Sequence, residues 1–226
     1  MSIKKFVTKE LSRIDDDHFS ESLKTPLRKD AFKIPDIEKV KLIEEKVRDI
    51  LDILGMDLKD DSLAGTPKRV AKMFINEIFS GLNPLNKPSA STFKNSYKYG
   101  EMLVEKNITV NSTCEHHLLP IIGVAHAAYI SKGKVVGLSK INRIVDYYSK
   151  RPQVQERLTL QIVKELKKIL NTDDVACVID AKHLCVNLRG IRDIQSSTVT
   201  TEFSGKFKEK EIKKEFLDYI KLEANF

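Results

Sequence analysis

The polar and apolar positions of the chain change period several times, and each change marks an element. From Ile37 onward, Ile37, Val40, Ile43, Val47, Ile50, Leu51 and Leu54 recur at steps of three and four. That spacing places them on one stripe of an amphipathic helix. Asp36 is positioned to cap its start, and Gly55 to take left-handed backbone at its end. A second helix is expected with Thr66 as N-cap, Pro67 at the first helical position and Val70, Phe74 and Ile78 as its stripe, with Met73 beside them. Gly81 should stop it, and Asn83 to Tyr99, with Pro84 and Pro88, reads as loop.

Beyond Met102 the period shortens to two. Met102, Val104, Ile108 and Val110 give an alternation broken around Asn107, and Ile122 to Ile130 follows as a second strand. Gly133 then turns the chain into Val135 and Val136. The period lengthens again for two helices. Ser139 is the expected cap of the first, with Ile141, Ile144, Val145 and Tyr148 on one face. Pro152 is expected to open the second, with Val154, Leu158, Ile162, Leu166, Ile169 and Leu170 on its buried side and Asn171 to Asp174 at its end. Val175 to Asp180, Cys185 to Leu188 and the threonine-rich Ser197 to Phe203 read as strands, and Phe216, Leu217 and Ile220 as a short terminal helix. Strands, two helices, then strands again predict an α+β fold, with helices packed on one face of an antiparallel sheet.

Composition narrows the class. The chain has 226 residues, 41% hydrophobic and 31% charged, enough for one domain with a substantial core. Residues 1–35 are polar, with Pro26 and Pro35, and read as a flexible appendage; residues 36–100 form an N-terminal helical region, and 101–226 the main domain. No apolar run reaches about 18 residues, so no membrane span is expected. Met1 to Leu23 has no continuous apolar core and carries Asp15, Asp16 and Asp17, which argues against a secretory signal. The expectation is a cytoplasmic protein with its three cysteines reduced. The net charge of +7 favours anionic partners. There is no dense arginine run and no basic stripe interleaved with aromatics, so nucleic-acid binding is not the favoured reading.

Three of the five histidines and two of the three cysteines fall in two short segments, Cys114-Glu115-His116-His117 and His183-Leu184-Cys185. Zinc takes tetrahedral nitrogen and thiolate ligands, and a catalytic zinc keeps one position for water. Cys114 and His117, three apart in a tight turn, can reach one ion together, with Cys185 as a third ligand. Spacing alone leaves a second reading open, in which the cysteines are ordinary core residues and the histidines sit in turns. His116 and His183 are suited to carry protons beside such a site. Cys177, inside an apolar strand, reads as core.

The same region carries groups for an anionic substrate. Ser139-Lys140-Ile141-Asn142-Arg143 opens a helix, and helix N-termini attract phosphate. Arg189 and Arg192 follow Cys185 closely. These cations could equally be surface partners of Asp146 or Asp193. Gln155-Glu156 lies at the start of the next helix, where a carboxylate either compensates the dipole or accepts paired N–H donors from a base such as guanine.

Four stretches together resemble GTP cyclohydrolase I: Ser112 to His117, Gly137 to Arg143, Arg151 to Leu158, and His183 to Val186 with Arg189 to Asp193. The likeness runs from about Ile37 to the C-terminus and is densest from Ser112 to Thr201. It implies the tunnelling fold, with pentameric rings stacked in pairs as a homodecamer. It implies hydrolysis of GTP to 7,8-dihydroneopterin triphosphate and formate, the first step towards tetrahydrofolate or tetrahydrobiopterin. By motif position, Cys114, His117 and Cys185 would bind Zn2+, and His116 and His183 would handle protons, His183 at N7 of guanine. Glu156 with Gln155 would hold the guanine edge. Ser139, Lys140, Arg143 and Arg189 would face ribose and triphosphate, joined by Arg69 of another subunit. The rival readings are another tunnelling-fold enzyme acting on a pterin or deazapurine precursor, and a zinc-stabilised nucleic-acid module.

Overall fold

The computed structural model describes residues 22–89 and 91–223. Expectations for residues 1–21 lie outside the described residues. The first helix, α1 (Asp36–Ile53), is followed by a short α2 (Asp61–Ala64) and by α3 (Thr66–Met73), which widens into a π-helical turn, Phe74–Ile78. Gly55 ends the α1 region with φ of 78°, as expected. Asp36 and Thr66 are not caps. They are the first helical residues, preceded by Pro35 and Gly65, and neither N-cap position makes a side-chain cap bond. Asp36 instead pairs with Lys39 and accepts from Asn83. The apolar stripe of α1 is present but buries no residue within one chain, and Ile53 is 82% exposed.

The stretch read as loop contains a strand, β1 (Thr92–Lys94). Then come β2 (Met102–Cys114), β3 (Pro120–Ile130) and β4 (Lys134–Val136), which pairs with β1. Two helices follow, α4 (Leu138–Ser149) and, after the two-residue strand β5 (Pro152–Gln153), α5 (Gln155–Leu170). Here two expectations are corrected. Gly137, not Ser139, precedes α4, and Pro152 lies in a strand that pairs in parallel with Thr113 and Cys114 instead of opening α5. Asn171 closes α5 with φ of 52°, a left-handed position that asparagine tolerates.

The chain returns through β6 (Val175–His183), one helical turn α6 (Leu184–Asn187), β7 (Thr198–Phe203) and the terminal helix α7 (Lys210–Lys221). Cys185 to Leu188 is therefore not a strand. Its apolar run is too short for periodicity to separate the two states. The main sheet has the order β5-β2-β3-β6-β7, antiparallel apart from β5. This is the expected α+β architecture, and it agrees with the tunnelling fold.

Alternation explains how the sheet is covered. Ile121, Ala125, Ala127 and Tyr129 of β3 and Val175, Cys177, Ile179 and Ala181 of β6 face Ile141, Ile144, Val145, Leu158, Ile162 and Leu166 of α4 and α5. The intervening Ala128, Ile130, Ala176 and Val178 turn the other way and pack on Phe207 and Phe216. So α7 covers the second face at one end, which the sequence pattern did not anticipate. The break at Asn107 is a β-bulge: the pairing shifts between Glu105 and Ile108, and Asn107 has φ of 56°. The extra residue inverts the strand. Met102 and Val104 join the α7 face, whereas Ile108 and Val110 join the α4–α5 face.

Candidate functional site

Strand register brings the two chemical segments together. Thr113 pairs with Pro120, Ile121 with His183, and Cys114 with Gln153. The end of β2, the start of β3, the end of β6 and all of β5 therefore meet at one end of the sheet. The turn after Cys114 is tight. Leu118 N–H donates to Cys114 O at 2.8 Å, Cys114 N–H donates to Leu119 O at 2.8 Å, and Leu118 has φ of 54°.

The ligand atoms of Cys114, His183 and Cys185 all lie within 4.8 Å of one another. Two sulfurs and one imidazole at that spacing could hold a metal ion. Cys114 is buried and Cys185 half-buried. Burial would push the Cys114 thiol up, but hydrogen bonds from His183, the His116 N–H, Cys185 and the His117 N–H outweigh it and bring it down to about 6. Burial and the neighbouring Cys114 push Cys185 the other way. One thiolate paired with one thiol is a donor set ready for a divalent cation. Cys177 is fully buried, and burial pushes it up to about 12, which fits the expected core role.

His117, expected as a ligand, is placed differently. It is exposed, and its Nε2 lies 2.7 Å from Arg189 Nη1. A guanidinium only donates, so this Nε2 carries the lone pair. His116 is exposed, with Nδ1 3.9 Å from Cys114 Sγ. His183 makes a 2.8 Å hydrogen bond between Nε2 and Gln155 Oε1.

These groups line a cleft of about 460 Å³, a size typical of small-molecule sites. Its walls include Cys114, His116, His117, Glu156, His183, Cys185 and Arg189. Glu156 is exposed in the first turn of α5. Ser139, Lys140, Arg143 and Arg69 do not line this cleft. Ser139 and Lys140 sit at the start of α4, and Arg143 lines a separate pocket with Ser80, Asp146 and Lys150. Arg69 donates to Ser62 O and Thr66 Oγ1.

Two side chains without an assigned role hold the turn. Arg157, 5% exposed, grips Glu115 with both arms, at 2.5 Å and 3.0 Å. Glu115 N–H also donates to Gln153 O. Arg157 Nε further donates to Ser22 O, Gln161 Nε2 to Leu23 O, and Arg151 Nη1 to Thr25 Oγ1. The described part of the expected appendage thus rests against α5 and the turn. The available signal was an arginine directly beside the apolar stripe of α5.

Comparison with known proteins gives one consistent picture. The family model described as GTP cyclohydrolase I matches residues 43–221. The chain is similar to the GTP cyclohydrolase 1 of Flavobacterium johnsoniae, 71% identical over 216 residues, covering 96% of this chain and 97% of that one. It is 50% identical over 200 residues to that of Erwinia tasmaniensis, covering 88% and 90% of the two chains. With that of Vibrio cholerae it shares 54% over 171 residues, covering 76% and 79%.

Proposed function

This chain belongs to the GTP cyclohydrolase I family, and from that premise we propose that it hydrolyses GTP to 7,8-dihydroneopterin triphosphate and formate, with zinc as cofactor, in the cytoplasm. The observation that carries the reading is the grouping of Cys114, His183 and Cys185 in one cleft with Glu156 and Arg189. No helix of the described residues is long and apolar enough to cross a membrane.

Zinc is proposed to be held by Cys114, Cys185 and His117. The lowered Cys114 thiol supplies a thiolate, and the His117 Nε2 lone pair supplies nitrogen once Arg189 turns to substrate. When bound, the ion would supply Lewis acidity towards water. His183 delivers a proton to N7 of guanine, which makes C8 a better electrophile, and His116 serves the later proton transfers. Glu156 accepts from the N–H donors of the guanine edge. A triphosphate carries about four negative charges, which calls for several cations. Arg189 meets it from this chain. Ser139, Lys140, Arg143 and Arg69, which lie away from the cleft, are proposed to come from neighbouring copies in a decamer of two pentamers. The product enters a tetrahydrofolate or related pterin pathway.

A second reading has one specific observation in its favour. His183, not His117, stands with the two cysteines, so it is the alternative third ligand. Zinc content and formate release, measured with GTP on the purified protein, test the function; a wild-type protein that releases no formate sinks it. In the same assay His117→Ala should lose zinc while His183→Ala keeps it but stops turnover. The reverse pattern transfers the ligand role to His183.

A further inference from the structure

Gln155 is the first residue of α5 and is 1% exposed. Its amide nitrogen donates to Thr198 O at 2.8 Å, to Ile179 O at 3.1 Å and to Thr200 Oγ1 at 3.1 Å. Its amide oxygen lies 2.8 Å from His183 Nε2. The two backbone carbonyls decide which way the amide faces. A carbonyl oxygen only accepts, so the NH2 group must point at Ile179 and Thr198. The hydroxyls agree. Thr159 Oγ1 donates to Gln155 O at 2.9 Å and stands 2.7 Å from Thr200 Oγ1. Thr200 therefore gives its own hydrogen to Thr159 and keeps a lone pair for the Gln155 amide.

With the nitrogen fixed, the oxygen faces His183. An amide oxygen also only accepts, so His183 Nε2 must carry a hydrogen. In the neutral ring the lone pair is then on Nδ1; a hydrogen there as well, as in the bond that His183 gives the Cys114 thiolate, makes the ring an imidazolium with Nε2–H unchanged. The anchor is stiff, because Gln155 reaches β6 and β7 where they pair, Ile179 with Thr200 and Ala181 with Thr198. A role for the side chain at the guanine edge would need an amide hydrogen to spare, and both are taken up inside the protein.

We propose that Gln155 is a positioning residue: it locks His183 in the Nε2–H tautomer and leaves Nδ1 as the ring nitrogen that works in the cleft. This rests on the reading of His183 as a working residue of that site. It holds whether Nδ1 exchanges a proton or binds an ion, since outer partners of this kind commonly fix the tautomer of a histidine.

The test uses the zinc-loaded enzyme labelled with 15N at histidine, the His183 signal being assigned by its loss in His183→Ala. The expected spectrum has the ring proton on Nε2. A neutral ring with its proton on Nδ1 and none on Nε2 overturns the proposal, whatever the activity. Gln155→Met keeps the length and loses both hydrogen-bonding ends. Its kcat for GTP should fall roughly ten- to hundredfold with KM changing far less, and the His183 signal should move away from a single tautomer. A raised KM with kcat retained would mean that Gln155 touches substrate, and overturns the proposal; so does an unchanged kcat. If Gln155→Met does not fold, the wild-type spectrum alone decides. Absence of GTP turnover in the wild type would end the functional reading and leave the tautomer measurement standing.

Discussion

Arg157→Met removes the clamp on the turn that carries Cys114, His116 and His117. Methionine fills similar space and donates nothing. The substitution strands the Glu115 carboxylate, which holds two charge-assisted bonds to Arg157 at 2.5 Å and 3.0 Å. Breaking a fully buried pair costs about 3–5 kcal/mol. The Glu115 side chain is 20% exposed and regains some water, so the lower end applies, about 3 kcal/mol. Loss of the bond to Ser22 O adds roughly 1 kcal/mol. In a chain of this size the sum corresponds to a fall in Tm of about 10 °C. Scanning calorimetry at fixed protein and zinc concentration reads it, because any self-association or metal binding shifts the apparent stability. The cycle with Glu115→Gln sharpens the test. Much of the cost is an orphaned charge, so the double variant should be no less stable than Arg157→Met alone, with a coupling of about 2–3 kcal/mol. A Tm change below about 2 °C, or additive effects, would refute the clamp.

Three further outcomes are expected. Glu156→Ala should raise the KM for GTP at least about tenfold with an unchanged melting curve; an unchanged KM removes it from the guanine edge. Arg143→Ala and Cys185→Ala should each be inactive, yet subunits of the two reassembled in equal amounts should regain about one quarter of wild-type turnover if sites are shared between copies; no recovery places both groups in one chain. Burial, then Lys106, push the His126 imidazole below its ordinary pKa, with Asp180 opposing. The unfolded chain then takes up this proton first, so denaturation titrations should show stability falling as pH drops below about 6.5. His126→Leu should remove that part of the slope, and an identical slope would show that other groups cause it.

Long periodic elements were legible. The stripes of α4 and α5, the strands around Ala125 and Val178, the helix end at Asn171 and the terminal helix all follow from local spacing. Boundaries set by local alternatives were less so. Asp36, Thr66 and Ser139 have capping chemistry, but each lies inside the first turn, after Pro35, Gly65 and Gly137. Strand β1 is three residues long and exists through its long-range pairing with β4, for which a loop-like sequence carries no signal. Gly81 looked like a helix stop. It is instead a buried contact, where an added Cβ would lie 2.1 Å from Tyr147 O.

Residue chemistry and local period could be read along the chain, because both depend on neighbours a few positions away. Cys114, His116, His117, His183 and Cys185 were visible as the reactive set, and so was the alternation that builds the sheet. Which of them meet was settled by register. The pairing of Ile121 with His183 and Cys114 with Gln153 joins distant segments, and the bulge at Asn107 reverses the faces of β2. The position of His183 beside the cysteines, the clamp of Arg157 on Glu115 and the amide of Gln155 across β6 and β7 arise only once the strands have closed. Hydrogen-bond partners far apart in the chain leave no period in it, so these relations had to come from the folded molecule.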